Sequence, residues 1–255
     1  MTEQSVLLGP DDPHPVEVVN PASEHPVLLV CEHAGQAVPS RLGDLGLPAG
    51  EIERHIGWDI GAESVARHMA GILGCTLVVQ RYSRLVIDCN RPPHAHDSMP
   101  AISDGTTIGG NLALRDHDRE ARIAEIFHPF HDAVTAHLDR VPRTAAVSIH
   151  SFTPEMRGVA RPWDMGFLYR KDERTSSELA GHVRALRPET VIGMNEPYTV
   201  DDLSDWFVPQ HGEARGLPHS LIEIRNDHVE HAEGQVLWAE LLASVLSRWL
   251  EGERK

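Results

Sequence analysis

Six apolar runs of strand length punctuate the chain: PVLLVC (26–31), TLVVQ (76–80), LVID (85–88), AAVSI (145–149), TVIGM (190–194) and HSLIEI (219–224). Between them, apolar residues recur every three or four positions, which predicts helices over 61–73, 114–140, 176–186 and 233–250. The last of these carries a mostly apolar stripe through Leu242, Val245, Leu246 and Trp249. Strands alternating with helices predict an α/β fold, with a largely parallel sheet covered on both faces. Sheets of that kind bind ligands beyond the carboxyl ends of their strands, so chemistry-bearing residues are sought there. Residues 1–25, rich in Pro, Asp and Glu, read as an N-terminal arm or edge element, and residues 26–255 as one domain. The glycine-rich stretch 105–114 reads as a mobile loop near the cleft.

Composition narrows the partners. At 255 residues and 41% hydrophobic content the chain can bury a sizeable core. A formal charge of −15, with no Lys/Arg block, excludes a nucleic-acid partner. No stretch approaches the roughly 20 apolar residues needed to span a bilayer, and no secretory signal opens the sequence, so no membrane partner and a cytoplasmic location are expected. Cys31, Cys75 and Cys89 are too far apart for a C-x-x-C pair, which fits a reducing compartment. A small anionic substrate remains open, because a few arginines facing a cleft can oppose the net charge locally. Oligomeric state is not legible.

Two of the strand-length runs lead straight into a histidine. VLLVCEHAG reaches His33 and AAVSIHSF reaches His150, and neutral imidazole at a strand end is a common metal ligand. With 17 histidines in the chain, either one alone reads equally as a polar cap. In HSLIEIRND, Glu223 alternates with Ile222 and Ile224; it is either paired with Arg225 on one strand face or a general base with a raised pKa. Asp59 in HIGWDIGA is either the N-cap of the following helix or a carboxylate ligand. YSRLVIDCNRPPH concentrates Arg84, Asp88, Asn90 and Arg91, which serve either as structural ion pairs or as a carboxylate clamp. A Cys31–His33 dyad is possible in principle, although Cys31 reads as a small buried hydrophobe. The motifs of serine hydrolases, nucleotide-binding loops and HExxH zinc peptidases do not occur.

Taken in order, CEHAGQAVP, HIGWDIGA, SRLVIDCNRP, SIHSFTP and LIEIRND resemble the N-formylglutamate amidohydrolase family from about Pro26 onward. That family is similar to zinc carboxypeptidases and aspartoacylase-like deacylases. The resemblance implies a three-layer α/β/α sandwich around a mixed, largely parallel sheet. It also implies one zinc ion per chain held by His33, Asp59 and His150, with Glu32 as the reserve ligand because Gln36 stands where the carboxypeptidase pattern has a glutamate. Glu223 is then the general base, Arg84 polarises the scissile carbonyl, and Asn90 and Arg91 hold the substrate carboxylate. The implied reaction converts an N-formyl or related N-acyl acidic amino acid to formate, or the matching acid, and the free amino acid. Alternatives are a related metal-dependent deacylase or carboxypeptidase acting on another small amide, and a non-catalytic binder of an acidic metabolite.

Overall fold

Seven strands form one mixed sheet in the computed structural model of the protein, which describes residues 7–253. They are β1 (Val16–Val19), β2 (Val27–Cys31), β3 (Thr76–Gln80), β4 (Ala145–Phe152), β5 (Met165–Leu168), β6 (Ile192–Met194) and β7 (His219–Arg225). The spatial order is β1-β3-β2-β4-β7-β5-β6. The inner four, β3, β2, β4 and β7, run parallel, while β1 and β5 lie antiparallel to their neighbours β3 and β7. Every residue of β2 and β4 is buried, so both faces of these strands are apolar and two-residue alternation is invisible in their sequence.

Helices α1 (Ala62–Leu73), α4 (Glu173–Leu186) and α5 (Ala232–Glu253) share one core with the sheet, built on Val147, Leu179, Leu242 and Trp249. On the other face α2 (Asp116–Arg122) and α3 (His128–Asp139) pack with Leu28, Phe127, Phe130 and Phe207. The result is the expected three-layer sandwich. Burying each such large side chain stabilises the fold by about 1.5–3 kcal/mol before entropy is counted. Among the described residues, no helix is long and apolar enough to cross a membrane.

The structure departs from the sequence pattern in three places, and the N-terminal stretch takes the edge position open to it. LVID (85–88) is not a strand: β1 occupies the outer edge of β3, and Leu85, Val86 and Ile87 are buried in the second core as a turn and the irregular stretch after it. The helix expected over 114–140 is interrupted by a π turn at Ile123–Phe127, just before Pro129, whose missing N–H cannot continue the regular ladder. The N-terminal arm supplies the edge strand β1, and residues 1–6 lie outside the described part. The glycine-rich stretch holds half of a hairpin, Ile102–Ser103 with Thr106–Thr107, and a buried Asn111 that donates to the carbonyls of Leu85 and Pro100.

Candidate active site

Three adjacent parallel strands deliver three of the expected side chains to one edge. His33 follows β2 by two residues, and His150 and Glu223 lie on β4 and β7. The β4–β7 register pairs Glu223 directly with His150, so hydrogen bonds of the sheet fix their separation. His150 therefore lies inside a strand that runs on to Phe152, not in the loop after it. Asp59 arrives on the turn ahead of α1, where its backbone N–H donates to the carbonyl of His33 at 2.9 Å. It does not cap the helix with its side chain: Gly61, at φ 79°, occupies the N-cap and leaves the carboxylate free to point elsewhere. A side chain at Gly61 would also collide with the Val229 carbonyl, 2.2 Å from the Cβ position.

His33, Asp59 and His150 form a buried group whose possible ligand atoms all lie within 4.8 Å of one another. His150 Nδ1 is 2.8 Å and His33 Nδ1 3.4 Å from the same oxygen, Asp59 Oδ2. Behind each ring stands a second carboxylate. His33 Nε2–H donates to Asp88 Oδ1 at 2.6 Å, and His150 Nε2 lies 3.1 Å from Glu32 Oε2, which in turn accepts from Ser148 Oγ at 2.5 Å. A carboxylate behind a histidine selects the tautomer whose opposite nitrogen carries a lone pair. Asp88 does this for His33, whose Nδ1 faces Asp59 as a buried atom with no hydrogen-bond partner, whereas His150 donates from Nδ1 to Asp59 Oδ2 and its Nε2, beside Glu32, is the atom left without a hydrogen bond. A His-His-Asp donor set of this kind fits a divalent cation such as zinc. Glu32, the reserve ligand, stands behind His150 rather than in the cluster.

The electrostatics follow from this packing. Burial alone would raise the pKa of Asp59, yet His33 and His150 hold it well below the usual carboxylate range. Burial is likewise overcome at Asp88 by His33 and Arg84, and at His150, whose pKa is raised well above normal by Asp59 and Glu32. Arg84 spans the cluster, reaching Asp59 Oδ1 at 3.2 Å and Asp88 Oδ2 at 2.8 Å. Glu223 behaves differently. Its Oε2 is buried without a partner, and burial pushes its pKa up to about 7, with Asp59 adding to the rise against the pull of His150. The pairing with Arg225 does not form: that arginine binds Asp164 and Asp227 instead. Cys31 is fully buried, its thiol pushed up by desolvation and donating to the Ile149 carbonyl, so it offers no nucleophilic dyad.

A polar cleft of about 460 Å³ opens over the cluster, with Arg84, Asn90, Arg91 and Glu223 on its walls. Arg91 keeps about a quarter of its side chain exposed and, among the described residues, makes one ion pair, a 3.5 Å contact with Asp97. Asn90 is more committed. Its carbonyl accepts from the backbone N–H groups of Trp206 and Phe207, and its amide donates to Asp205 at 2.7 Å, which ties the 195–206 segment to the cleft. Asp205, pushed up to about 7 by burial, and Tyr198 are cleft residues that the sequence reading missed, because neither sits in a run or spacing that marks it. Gly166 on β5 explains why that segment can approach: a Cβ there would lie 1.9 Å from the Glu196 carbonyl oxygen.

A buried, unpaired carboxylate beside a cluster able to hold a cation, at the base of a polar cleft, is the equipment of a hydrolase. The sequence pattern of the N-formylglutamate amidohydrolase family matches residues 25–229, and the chain belongs to that family. It is therefore a hydrolase of the amide-cleaving class. The crystal structure of gene product Atu2144 from Agrobacterium tumefaciens is similar at 34% identity and a TM-score of 0.91, over 98% of this chain and 100% of that one. An N-formylglutamate amidohydrolase from Ralstonia eutropha JMP134 shares the fold at 19% identity and a TM-score of 0.68, over 94% of this chain and 98% of that one. No curated protein sequence matches the chain.

Proposed function

We propose that the protein hydrolyses the amide of a small N-acyl acidic amino acid, N-formylglutamate or a relative of it, releasing the acid and the free amino acid. The observation that carries this reading is Glu223: an unpartnered buried carboxylate, held by strand register next to His150, with a pKa near neutrality. His33, Asp59 and His150 would hold one divalent cation, zinc by donor type, which when bound supplies Lewis acidity to make water more acidic and to polarise a carbonyl. Glu223 takes a proton from the attacking water and delivers it to the nitrogen of the leaving amine. Arg84 spends two contacts on Asp59 and Asp88, and its remaining N–H groups are available to the oxyanion that develops on the scissile carbonyl. Arg91 presents the planar fork that suits a substrate carboxylate. Asn90 has one amide hydrogen left for the same group once Asp205 is served.

Replacing Glu223 by Gln tests the assignment. The variant should keep its metal content and lose turnover by about 10²- to 10⁴-fold, the usual worth of a positioned acid–base group. Turnover at the wild-type rate would remove Glu223 from the mechanism. In the wild type, activity should fall as the pH drops through the Glu223 pKa, because only the carboxylate accepts a proton. A bound cation favours the carboxylate, so that limb should lie at or below the value of about 7.

A further inference from the structure

The cleft continues past the cluster. A second chamber of about 340 Å³ adjoins the first, and the two share Asp59, Arg84, Arg91, Ser151 and Tyr198. The reacting carbonyl, placed against Asp59 and Arg84, thus stands where the chambers meet. Glu223, which must reach the leaving nitrogen, lines the first chamber and not the second. The amino-acid half of the substrate therefore occupies the first chamber, and the acyl half is directed into the second. A formyl group is one carbon and one oxygen, whereas pockets of about 300 Å³ and above accommodate drug-sized molecules. With a formyl substrate the second chamber would do nothing.

Its walls say what it accepts. One comes from the hairpin carrying Ile102 and Ser103, the other from the hairpin Glu155–Met156 and Val159–Ala160, whose tip holds Arg157 at φ 52°. Of the other charges there, Arg84 is held by Asp59 and Asp88 and Asp104 by Arg54, while Arg91, 3.5 Å from Asp97, is assigned above to the carboxylate of the amino-acid half. Arg157 has no hydrogen-bond or ion-pair partner among the described residues. We propose, resting on the amidohydrolase reading above, that the acyl group is a chain of several atoms ending in a carboxylate that pairs with Arg157. The substrate class is then the half-amide of a dicarboxylic acid with an acidic amino acid. In its hydrolysis the water oxygen bonds to the acyl carbon, the C–N bond breaks, and a proton passes to the amine, giving a dicarboxylate and the free amino acid.

The test compares kcat/KM of the full-length, zinc-loaded protein on N-formyl-, N-butanoyl- and N-succinyl-L-glutamate, which separate size from charge. Succinyl should exceed butanoyl by about tenfold or more, and butanoyl should exceed formyl. Arg157→Ala should erase the succinyl advantage over butanoyl. Ser103→Trp, which fills the second chamber away from the cluster, should depress both long substrates and leave the formyl rate unchanged. A formyl substrate that is fastest, or a Ser103→Trp variant that slows all three alike, overturns the proposal. Zinc-loaded protein that cleaves none of the three amides overturns the parent reading, and this one with it.

Discussion

Two pairs of histidines are buried in this fold at nearly the same ring separation. His33 and His150 meet edge to face at 4.7 Å, and His131 and His211 stack at 5.1 Å. The first pair is backed by Asp88 and Glu32 and converges on Asp59. The second is held by a hydrogen bond of 2.8 Å between its own rings and by donation from His131 to the Cys89 carbonyl, amid Phe127, Phe130 and Trp206. With both rings neutral, His131 gives its Nε2–H to the Cys89 carbonyl and His211 gives its Nε2–H to His131 Nδ1. Burial accordingly lowers the pKa of both, that of His211 to about 4, whereas the carboxylates raise that of His150. Proximity of imidazoles is thus common to a candidate metal centre and to a packing contact. The carboxylates around them make the difference.

The largest effect expected from this contrast is on metal content. A His33→Ala/His150→Ala double variant should lose its zinc and its turnover, measured by elemental analysis and amide hydrolysis, while His131→Ala keeps about one zinc per folded chain. Equal loss from both would break the comparison. Next in size are the carboxylates that back the rings: Glu32→Gln and Asp88→Asn should each weaken metal binding by about 10- to 100-fold in a chelator competition, as outer-shell changes usually do. The smallest effect leaves turnover alone and concerns acid stability. Below the ordinary histidine value of 6.5 the unfolded chain takes up a proton that folded His211 refuses until about pH 4. The stability present above pH 6.5 should therefore fall by up to about 3 kcal/mol across that window and then level off. His211→Gln should flatten the slope in denaturant titrations. At His150, in protein stripped of metal, the sign reverses: its contribution is present below pH 6.5 and is lost as the pH rises through its elevated folded pKa.

The strand-borne parts of the site were legible because apolar runs locate strand ends. His33, His150 and Glu223 interrupt or terminate such runs, and the order of the short motifs around them resembles that of the family. Asp59 was ambiguous, since a carboxylate two residues before Gly61 looks the same whether it caps or points into a cleft; a left-handed glycine at the cap decides it. Roles behind the rings were hidden for another reason. Glu32 and Asp88 act through histidines distant in sequence, separated from their partners by 118 and 55 positions respectively, and only the folded arrangement reveals which ring each one backs. A short element escaped as well, since β5 offers only MGFL, while β1, in a stretch dominated by Pro, Asp and Glu, was legible only as an arm or edge element.

One consequence of the β4–β7 register reaches beyond the reaction itself. Glu223 and His150 are neighbours in a ladder of backbone hydrogen bonds, so an insertion in any surrounding loop leaves their spacing untouched. The segments that shape the cleft, 102–107, 155–160 and 195–206, all lie outside that ladder. Evolution can exchange them as interchangeable fittings on a constant frame, and so can an engineer: grafting these three loops from a relative should transfer substrate preference while the Glu223–His150 spacing is inherited unchanged.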